Sequence, residues 1–276
     1  MEIGQFNILT VKRRAPNGVY LGEDGSEQEV LLPKKFVNDK MVEGTKGRVF
    51  IYADSEDRPI ATTQKPYAVA GEVACLTVKD VTPIGAFLDW GLDKDLFLPF
   101  AEQKGTLVPG QKWAVYVYVD RANGRIVATQ NLHKFIKNRE VDLKEHQEVE
   151  IVVVEETPMG FKVVINNKHW GMFYKNETFE TVAVGDKRTA WIKRFREEGK
   201  IDVALQKQGL AAAGDAREVI LEKLRASNGK LMLSDKSSPE EIYAQLHLSK
   251  KNFKKAIGML YKEMKIVIEP DYIRLP

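Results

Sequence analysis

The sequence has few of the residues that form disulfide frameworks, metal sites or membrane spans. It contains one cysteine, Cys75, and four histidines that are scattered without metal-ligand spacing. A lone cysteine excludes a disulfide within the chain and fits a reducing compartment, and scattered histidines predict no zinc site. Among the strongest apolar runs is IVVV at 151–154, far shorter than the roughly 18 residues that span a bilayer. We therefore expect a protein without a cofactor or a membrane partner.

Signals for secretion and catalysis are also missing. The first residues, MEIGQ, lack the basic segment and apolar core that mark a secretory leader. The phosphate-loop pattern GxxxxGK followed by Ser or Thr does not occur, and no nucleophile stands beside a base. We expect a cytoplasmic binding protein and no enzyme.

Charge is nearly balanced overall but uneven along the chain. The net charge is +3. Residues 215–276 hold twelve Lys or Arg residues against nine Asp or Glu residues, so the first 214 residues sum to zero. Nucleic-acid binding by that larger part would depend on local patches and aromatic side chains rather than on gross charge.

The sequence does contain one pattern written three times. Its closing segments are RPIATTQ (58–64), GRIVATQ (124–130) and GKIDVALQ (199–206). Gly18 and Gly85 are 67 residues apart, and Gly85 and Gly160 are 75 apart; glycines further along each repeat keep nearly the same offsets. A constant offset of this kind is the signature of tandem structural repeats.

Each repeat reads as five short strands. In the second repeat, alternating apolar residues predict strands near 72–81, 85–89, 95–99, 113–120 and 126–129. Asn-Gly at 123–124 predicts a tight turn before the last strand, and a glycine opens strand two, where a small barrel needs a tight bend. Five short strands in so few residues are typical of an OB-fold barrel.

The order IGAFLDW, LFLP, VPGQKWAVYVYVD and GRIVATQ resembles the S1 domain, an RNA-binding OB-fold first described in ribosomal protein S1. All three repeats share the resemblance, the second most closely and the third least. It implies S1-like domains at 1–66, 67–138 and 139–210, with single-stranded RNA as the expected partner.

The pattern changes near the end of the third repeat. LQKQGLAAAGDA (205–216) predicts a boundary and a helix that begins near Asp215. Ser-Ser-Pro-Glu-Glu at 237–241 is a helix start, with a serine cap, an early proline and acids near the positive end of the helix. Ser249 caps a further helix, and KIVIEPDYIRL (265–275) alternates like a hairpin. Residues 215–276 therefore predict an α+β winged helix-turn-helix domain.

The last predicted helix has two faces. At about 100° per residue its core stripe consists of Phe253, Ile257, Leu260 and Met264. The opposite face carries Lys251, Lys255, Gly258 and Lys262. That face is predicted to contact nucleic acid; the alternatives are that it contacts another protein or is only solvated.

Three S1-like barrels followed by a winged helix resemble the conserved virulence factor B family of bacterial RNA-binding regulators. The segments that carry this resemblance are DSEDRPIATTQKP (54–66), NGRIVATQNL (123–132) and DKSSPEEIY (235–243). Membership implies RNA binding and an effect on gene expression.

The S1 pattern, carried over position by position, implies which residues contact RNA. The pattern selects the aromatic position of strand two, the Asp and Arg of the last hairpin, and the position that is usually histidine. Trp170 is added because the third repeat is rich in aromatic residues. These residues are Tyr20, Asp54, Arg58, Phe87, Asp120, Arg125, Lys162, Trp170, Tyr174 and Lys200. The sequence departs from the family at the first aromatic position, which is Asn17, Ile84 or Met159.

Several alternatives remain at this stage. Phe87 and Trp170 are either stacking platforms or ordinary core residues. The leading hypothesis is an RNA-binding regulator that uses several linked barrels. The alternatives are a DNA-binding regulator that acts through the winged helix and a protein-interaction scaffold.

Overall fold

The computed structural model describes residues 1–175, 181–205 and 210–276. By its internal contacts the chain divides into two compact units, Met1–Lys137 and Asn138–Pro276. The first unit holds two β-barrels, and the second holds a third barrel and a helical carboxy-terminal region. The predicted class, mainly β with three five-stranded barrels before a winged helix, is confirmed.

The first barrel is a closed sheet in the strand order β1-β2-β3-β5-β4. Its strands are β1 (Phe6–Ala15), β2 (Gly18–Gly22), β3 (Val30–Pro33), β4 (Lys46–Ala53) and β5 (Pro59–Thr62). Alternate residues along these strands, such as Leu9 and Val11 of β1, are buried in its core.

The second barrel repeats this topology. Its strands are β6 (Val73–Thr82), β7 (Gly85–Asp89), β8 (Leu96–Pro99), β9 (Lys112–Val119) and β10 (Ile126–Thr129). All five begin and end within one residue of the predicted bounds, because alternation and the flanking turn residues are clear in this repeat.

The third barrel belongs to the second unit. Its strands are β11 (Glu148–Glu156), β12 (Gly160–Ile165), β13 (His169–Tyr174), β14 (Lys187–Phe195) and β15 (Ile201–Ala204), in the order β11-β12-β13-β15-β14. The most divergent repeat therefore keeps the same fold, with Phe173 and Ile192 in its core.

A glycine opens strand two in every barrel because the neighbouring strand leaves no room for a side chain. A Cβ on Gly18 would lie 2.0 Å from the carbonyl oxygen of Leu32. The same atom on Gly85 or Gly160 would lie 2.5 or 2.1 Å from a backbone oxygen of the facing strand. The glycine at the start of strand two is thus required by this close approach of the backbone.

The glutamine at the end of the repeated closing strand supports a neighbouring loop. Gln64 Nε2 donates to Asp93 Oδ1 (2.8 Å) in the second barrel. Gln130 Oε1 accepts from the backbone N–H of Lys104 within its own barrel. Because a side-chain amide can both donate and accept hydrogen bonds, glutamine at this position can bind a loop of its own barrel or a loop of the neighbouring barrel. Gln206 lies outside the described residues.

The first two barrels share a hydrophobic cluster. Phe50 and Tyr52 of β4 pack with Trp90, which follows β7, and the Phe50 and Trp90 rings meet edge-on with centroids 5.8 Å apart. The backbone N–H of Ala70 donates to the carbonyl oxygen of Gly4 (2.9 Å). Barrels one and two are thus packed together within the first unit.

The carboxy-terminal region has the predicted order of helix, strand, helix, helix and hairpin. Its elements are α1 (Leu210–Ala226), β16 (Lys230–Leu231), α2 (Pro239–Leu246), α3 (Lys250–Lys262), β17 (Val267–Ile268) and β18 (Ile273–Arg274). Ser238 caps α2 in a reciprocal capping box with Glu241, and Ser249 caps α3.

Two details of this region differ from the sequence prediction. Helix α1 begins at Leu210, before the predicted start near Asp215, because the leucine and alanines there are strong helix formers. Met264, predicted as core, is 83% exposed, because α3 ends at Lys262 and the helical spacing no longer applies. Ala256 completes the buried stripe instead. None of the helices in the described ranges is long and apolar enough to cross a membrane.

Candidate nucleic-acid interface

Strands two, three and five present one outer face at the same register in all three barrels. The residues in register are Tyr20, Leu31 and Ile60 in the first barrel, Phe87, Phe97 and Val127 in the second, and Lys162, Met172 and Asp202 in the third; of these, Val127 and Asp202 are buried. This is the surface on which OB-folds bind single strands, and its chemistry differs from barrel to barrel.

Phe87 lies on this face of the second barrel and is half-buried, while its neighbours Ala86 and Leu88 are fully buried. Its ring centroid is 5.3 Å from that of Phe97, at an interplanar angle of 43°. Both rings line a groove of ≈ 360 Å³ that also includes Arg125. Phe87 is therefore not among the buried core residues, which are the alternate residues Ala86 and Leu88 of β7.

Asp54 and Asp120 hold the closing hairpins of their barrels. Asp54 accepts hydrogen bonds from the backbone N–H groups of Glu56 and Arg58, both at 2.9 Å, and from the Arg58 guanidinium. Asp120 accepts from the backbone N–H of Ala122 (3.0 Å). Burial opposes ionisation of Asp54, but these hydrogen bonds outweigh it and hold the pKa of its carboxyl below the ordinary value. Both predicted aspartates are committed to their own hairpins.

Arg58 and Arg125 occupy equivalent places but have different partners. Arg58 forms ion pairs with Asp54 and Glu56 of its own hairpin, both at 2.8 Å. Arg125 reaches out of the second barrel to Asp57 of the first. Both arginines keep more than half of the side chain exposed. Exposed pairs of this kind are weak, so phosphate can compete for either guanidinium.

Tyr20 of the first barrel is partly covered by a cation. The guanidinium carbon of Arg13 lies 3.7 Å from the Tyr20 ring centroid, and Arg13 also pairs with Glu29 at 2.7 Å. Arg13 lies outside the S1 pattern and was not predicted. It gives the Tyr20 position a mixed aromatic and cationic surface.

The third barrel brings all four of its predicted residues into one groove. Lys162, Trp170, Tyr174 and Lys200 line a space of ≈ 230 Å³. The ammonium of Lys162 lies 4.3 Å from the Trp170 ring centroid, a cation–π distance. Trp170 is half-buried at this surface and is not among the buried core residues of the barrel.

A buried carboxylate organises the floor of this groove. Asp202 is 1% exposed, and its oxygens lie 2.7 Å from Arg194 Nε and 3.6 Å from the Arg196 guanidinium. Arg196 in turn donates to the Tyr174 hydroxyl at 2.5 Å. The network fixes Arg196 and Tyr174 at the mouth of the groove.

Asp202, Arg196 and Phe97 line these grooves but were not predicted from the sequence. Phe97 could have been found from the sequence, because it lies between Leu96 and Leu98. Alternation assigns those two leucines to the core, where both are buried, and Phe97 to the opposite face of the strand. The network around Asp202 depends on the pairing of β14 with β15 and has no signal in a single strand.

The winged helix presents the predicted lysine face on α3. Lys251, Lys255 and Lys262 are exposed, and none of them forms an ion pair with a carboxylate in the described part of the chain. A Cβ added to Gly258 would meet nothing within 4 Å. Glycine costs a helix about 1 kcal/mol relative to alanine, and packing does not require it here, so this open position is compatible with the predicted contact of the lysine face with nucleic acid.

Among the residues that the structure describes, no group of three or more His, Cys, Asp or Glu side chains could hold a metal ion.

Comparison with known proteins agrees with this architecture. A family model described as an S1 domain matches residues 3–64 and 70–131. A second, described as a CvfB-like winged helix domain, matches residues 218–275. The S1 matches support a role in binding nucleic acid.

Relatives match this chain along nearly its full length. Protein YitL of Bacillus subtilis (strain 168) is 28% identical, over 98% of this chain and 92% of YitL. Conserved virulence factor B of Staphylococcus saprophyticus is 24% identical, over 100% of this chain and 92% of its own. A solved multidomain protein with nucleic acid binding domains from Streptococcus pneumoniae is 22% identical over 99% of this chain and 98% of that chain, with a TM-score of 0.42.

Proposed function

The chain belongs to the conserved virulence factor B family, and from that premise we propose that it binds single-stranded RNA in the cytoplasm and so regulates gene expression. It acts by binding, without catalysis. Several barrels each hold a short stretch of the strand, and the winged helix adds phosphate contacts.

The observation that carries this proposal is the groove of the third barrel. An aromatic ring, two lysines and a tyrosine that the S1 pattern or composition selected separately lie around one space, from Lys162 to Lys200. RNA is typically held by bases stacked on aromatic side chains while cations follow the phosphates. When a base stacks on Trp170, the Lys162 ammonium leaves the ring and pairs with a phosphate.

Linked grooves make weak sites effective. The second barrel offers Phe87 and Phe97 as stacking surfaces, and the third offers Trp170. Once one groove is occupied, the next contact on the same strand is intramolecular and raises overall affinity without strengthening either site.

The winged helix supports RNA better than duplex DNA. Its lysine face on α3 fits phosphates of either. The β17–β18 hairpin, which forms the wing, carries Glu269 and Asp271 at its turn. Acidic residues there repel the phosphates that flank a duplex groove. The DNA-binding and scaffold alternatives predict a preference for duplex DNA and no nucleic-acid binding, respectively.

Substitution of Trp170 tests the proposal. We expect Trp170→Ala to weaken binding of the intact chain to single-stranded RNA by about 1–3 kcal/mol, the contribution of one stacked base. Fluorescence anisotropy with a labelled oligonucleotide measures this directly.

Trp170→Phe is the matched control for this experiment, because it keeps an aromatic surface at the same place. We expect it to retain most of the affinity, and both variants to keep the wild-type thermal unfolding curve. If a folded Trp170→Ala protein bound RNA with wild-type affinity, the third-barrel groove would not be part of the RNA-binding surface.

A further inference from the structure

The groove of the second barrel is built by two barrels. Phe87, Phe97 and Arg125 come from the second barrel, whereas Tyr52, Ser55 and Asp57 come from the β4–β5 hairpin of the first. Its volume of ≈ 360 Å³ lies at the lower end of the roughly 300–1,000 Å³ of small-ligand sites. The first barrel therefore supplies one wall of a site whose aromatic floor belongs to the second.

That wall is held in place before any ligand arrives. The Lys94 ammonium donates to the carbonyl oxygens of Ala53 (3.1 Å) and Asp54 (2.6 Å), which fixes the hairpin to the loop after β7. In the same loop Trp90 is buried against Phe50. Because the wall is already ordered, little conformational entropy is lost when a ligand binds.

At the polar edge of the groove a carboxylate and a guanidinium meet, whereas Asp95 and Lys94, which also line the groove, are engaged with Lys79 and with backbone carbonyl oxygens. The Asp57 carboxylate and the Arg125 guanidinium form an ion pair between the two barrels, with 41% and 55% of their side chains exposed. A carboxylate only accepts hydrogen bonds and a guanidinium only donates them. Together they present both kinds of group beside the Phe87 and Phe97 rings.

Guanine is the base whose Watson–Crick edge complements that pair best. It has two adjacent donors, N1–H and the N2 amino group, next to the acceptor O6. Uracil has one donor between two acceptors, so a carboxylate facing it meets at least one repelling oxygen. Adenine and cytosine each offer a single donor group for Asp57.

We propose that this groove is a guanine-selective subsite of the RNA path, composed of both amino-terminal barrels. The base stacks on the phenylalanine rings, Asp57 accepts from N1–H and the N2 amino group, and Arg125 donates to O6. The inference rests on the proposed RNA binding and adds a base preference to it.

The test compares two single-stranded RNAs of about 12 nucleotides, within the roughly 4–16 that one OB-fold covers. One contains only uridine, and the other contains a single guanosine at its centre. The guanosine is limited to one so that the strand cannot form a quadruplex. The intact wild-type chain is expected to bind the guanosine-containing strand about tenfold more tightly, the scale of one good bidentate base contact.

Two variants in the same hairpin separate base recognition from charge. Asp57→Asn keeps size and fits the positive φ of 61° at this position, but it replaces one acceptor with a donor. Glu56→Gln removes the same charge from a residue that pairs with Arg58. The tenfold ratio is expected to fall towards one in Asp57→Asn and to persist in Glu56→Gln.

The outcomes distinguish this inference from the proposed function. Equal affinity of the wild type for both strands, or an unchanged ratio in Asp57→Asn, would overturn the guanine site and leave RNA binding intact. If Asp57→Asn bound both strands more tightly by the same factor, Asp57 would act only by repelling phosphates. That result would overturn the guanine site as well. Failure to bind either strand would overturn both proposals.

Discussion

Phe87 and Leu88 are neighbours on β7 that point to opposite sides of the second barrel. Phe87 is half-buried at the groove, and Leu88 is fully buried in the core. We expect Phe87→Ala to weaken RNA binding by about 1–3 kcal/mol through the loss of one stacking surface. Titration of a labelled RNA with the intact chain measures the effect.

Leu88→Ala is the control for Phe87→Ala. Truncation of a buried leucine leaves a cavity and typically costs about 2–5 kcal/mol of stability, so this variant is expected to unfold at a lower temperature. A similar loss of stability in Phe87→Ala would show that its ring supports the barrel more than the ligand.

At the scale of single residues, the sequence predicts which positions lie near the ligand face but not which side chains remain available. Asp54 and Arg125 both matched the S1 pattern. The structure commits Asp54 to its own hairpin, whereas Arg125 pairs with the neighbouring barrel. Whether a side chain is free to contact a ligand depends on its hydrogen-bond partners. Those partners come from other turns and other barrels, which a sequence pattern does not identify.

At the scale of elements, the lysine face of α3 is expected to contact phosphates. A Lys251→Ala/Lys255→Ala/Lys262→Ala variant should bind RNA more weakly, and the slope of log affinity against log salt should fall by roughly one unit for each lysine that neutralises a phosphate. Binding measured at several salt concentrations gives this slope.

Two other lysines of the winged helix provide a matched control. Lys254 and Lys265 are exposed but pair with Asp235 (3.8 Å) and Glu263 (3.0 Å). Their double alanine variant should change the salt slope less, because their charges are already partly neutralised. Equal slopes in the wild type and the triple variant would mean that the α3 face is only solvated.

Elements were predictable where a local physical rule decides them. Period-two alternation located the strands of the second barrel, and the serine caps located α2 and α3. The rule failed at Met264, where the helix had already ended and its spacing no longer applied. The end of a helix depends on competing tertiary contacts, which periodicity does not include.

For the whole molecule, the packing of the first barrel against the second could not be predicted. It depends on Phe50, Tyr52 and Trp90, which alternation assigns only to buried or half-buried positions of their own strands. Which barrel they face is a matter of complementary surfaces. This packing is what brings Asp57 next to Arg125.

The most direct test of multi-barrel RNA binding is the affinity of the intact chain for single-stranded RNA of increasing length, compared with single-stranded DNA of the same sequence and with duplex DNA. We expect affinity for RNA to rise steeply once the strand exceeds the roughly 4–16 nucleotides that one barrel covers, because further contacts become intramolecular. RNA should also bind more tightly than either DNA. An affinity that stays constant beyond one barrel's length, or a preference for duplex DNA, would contradict this account.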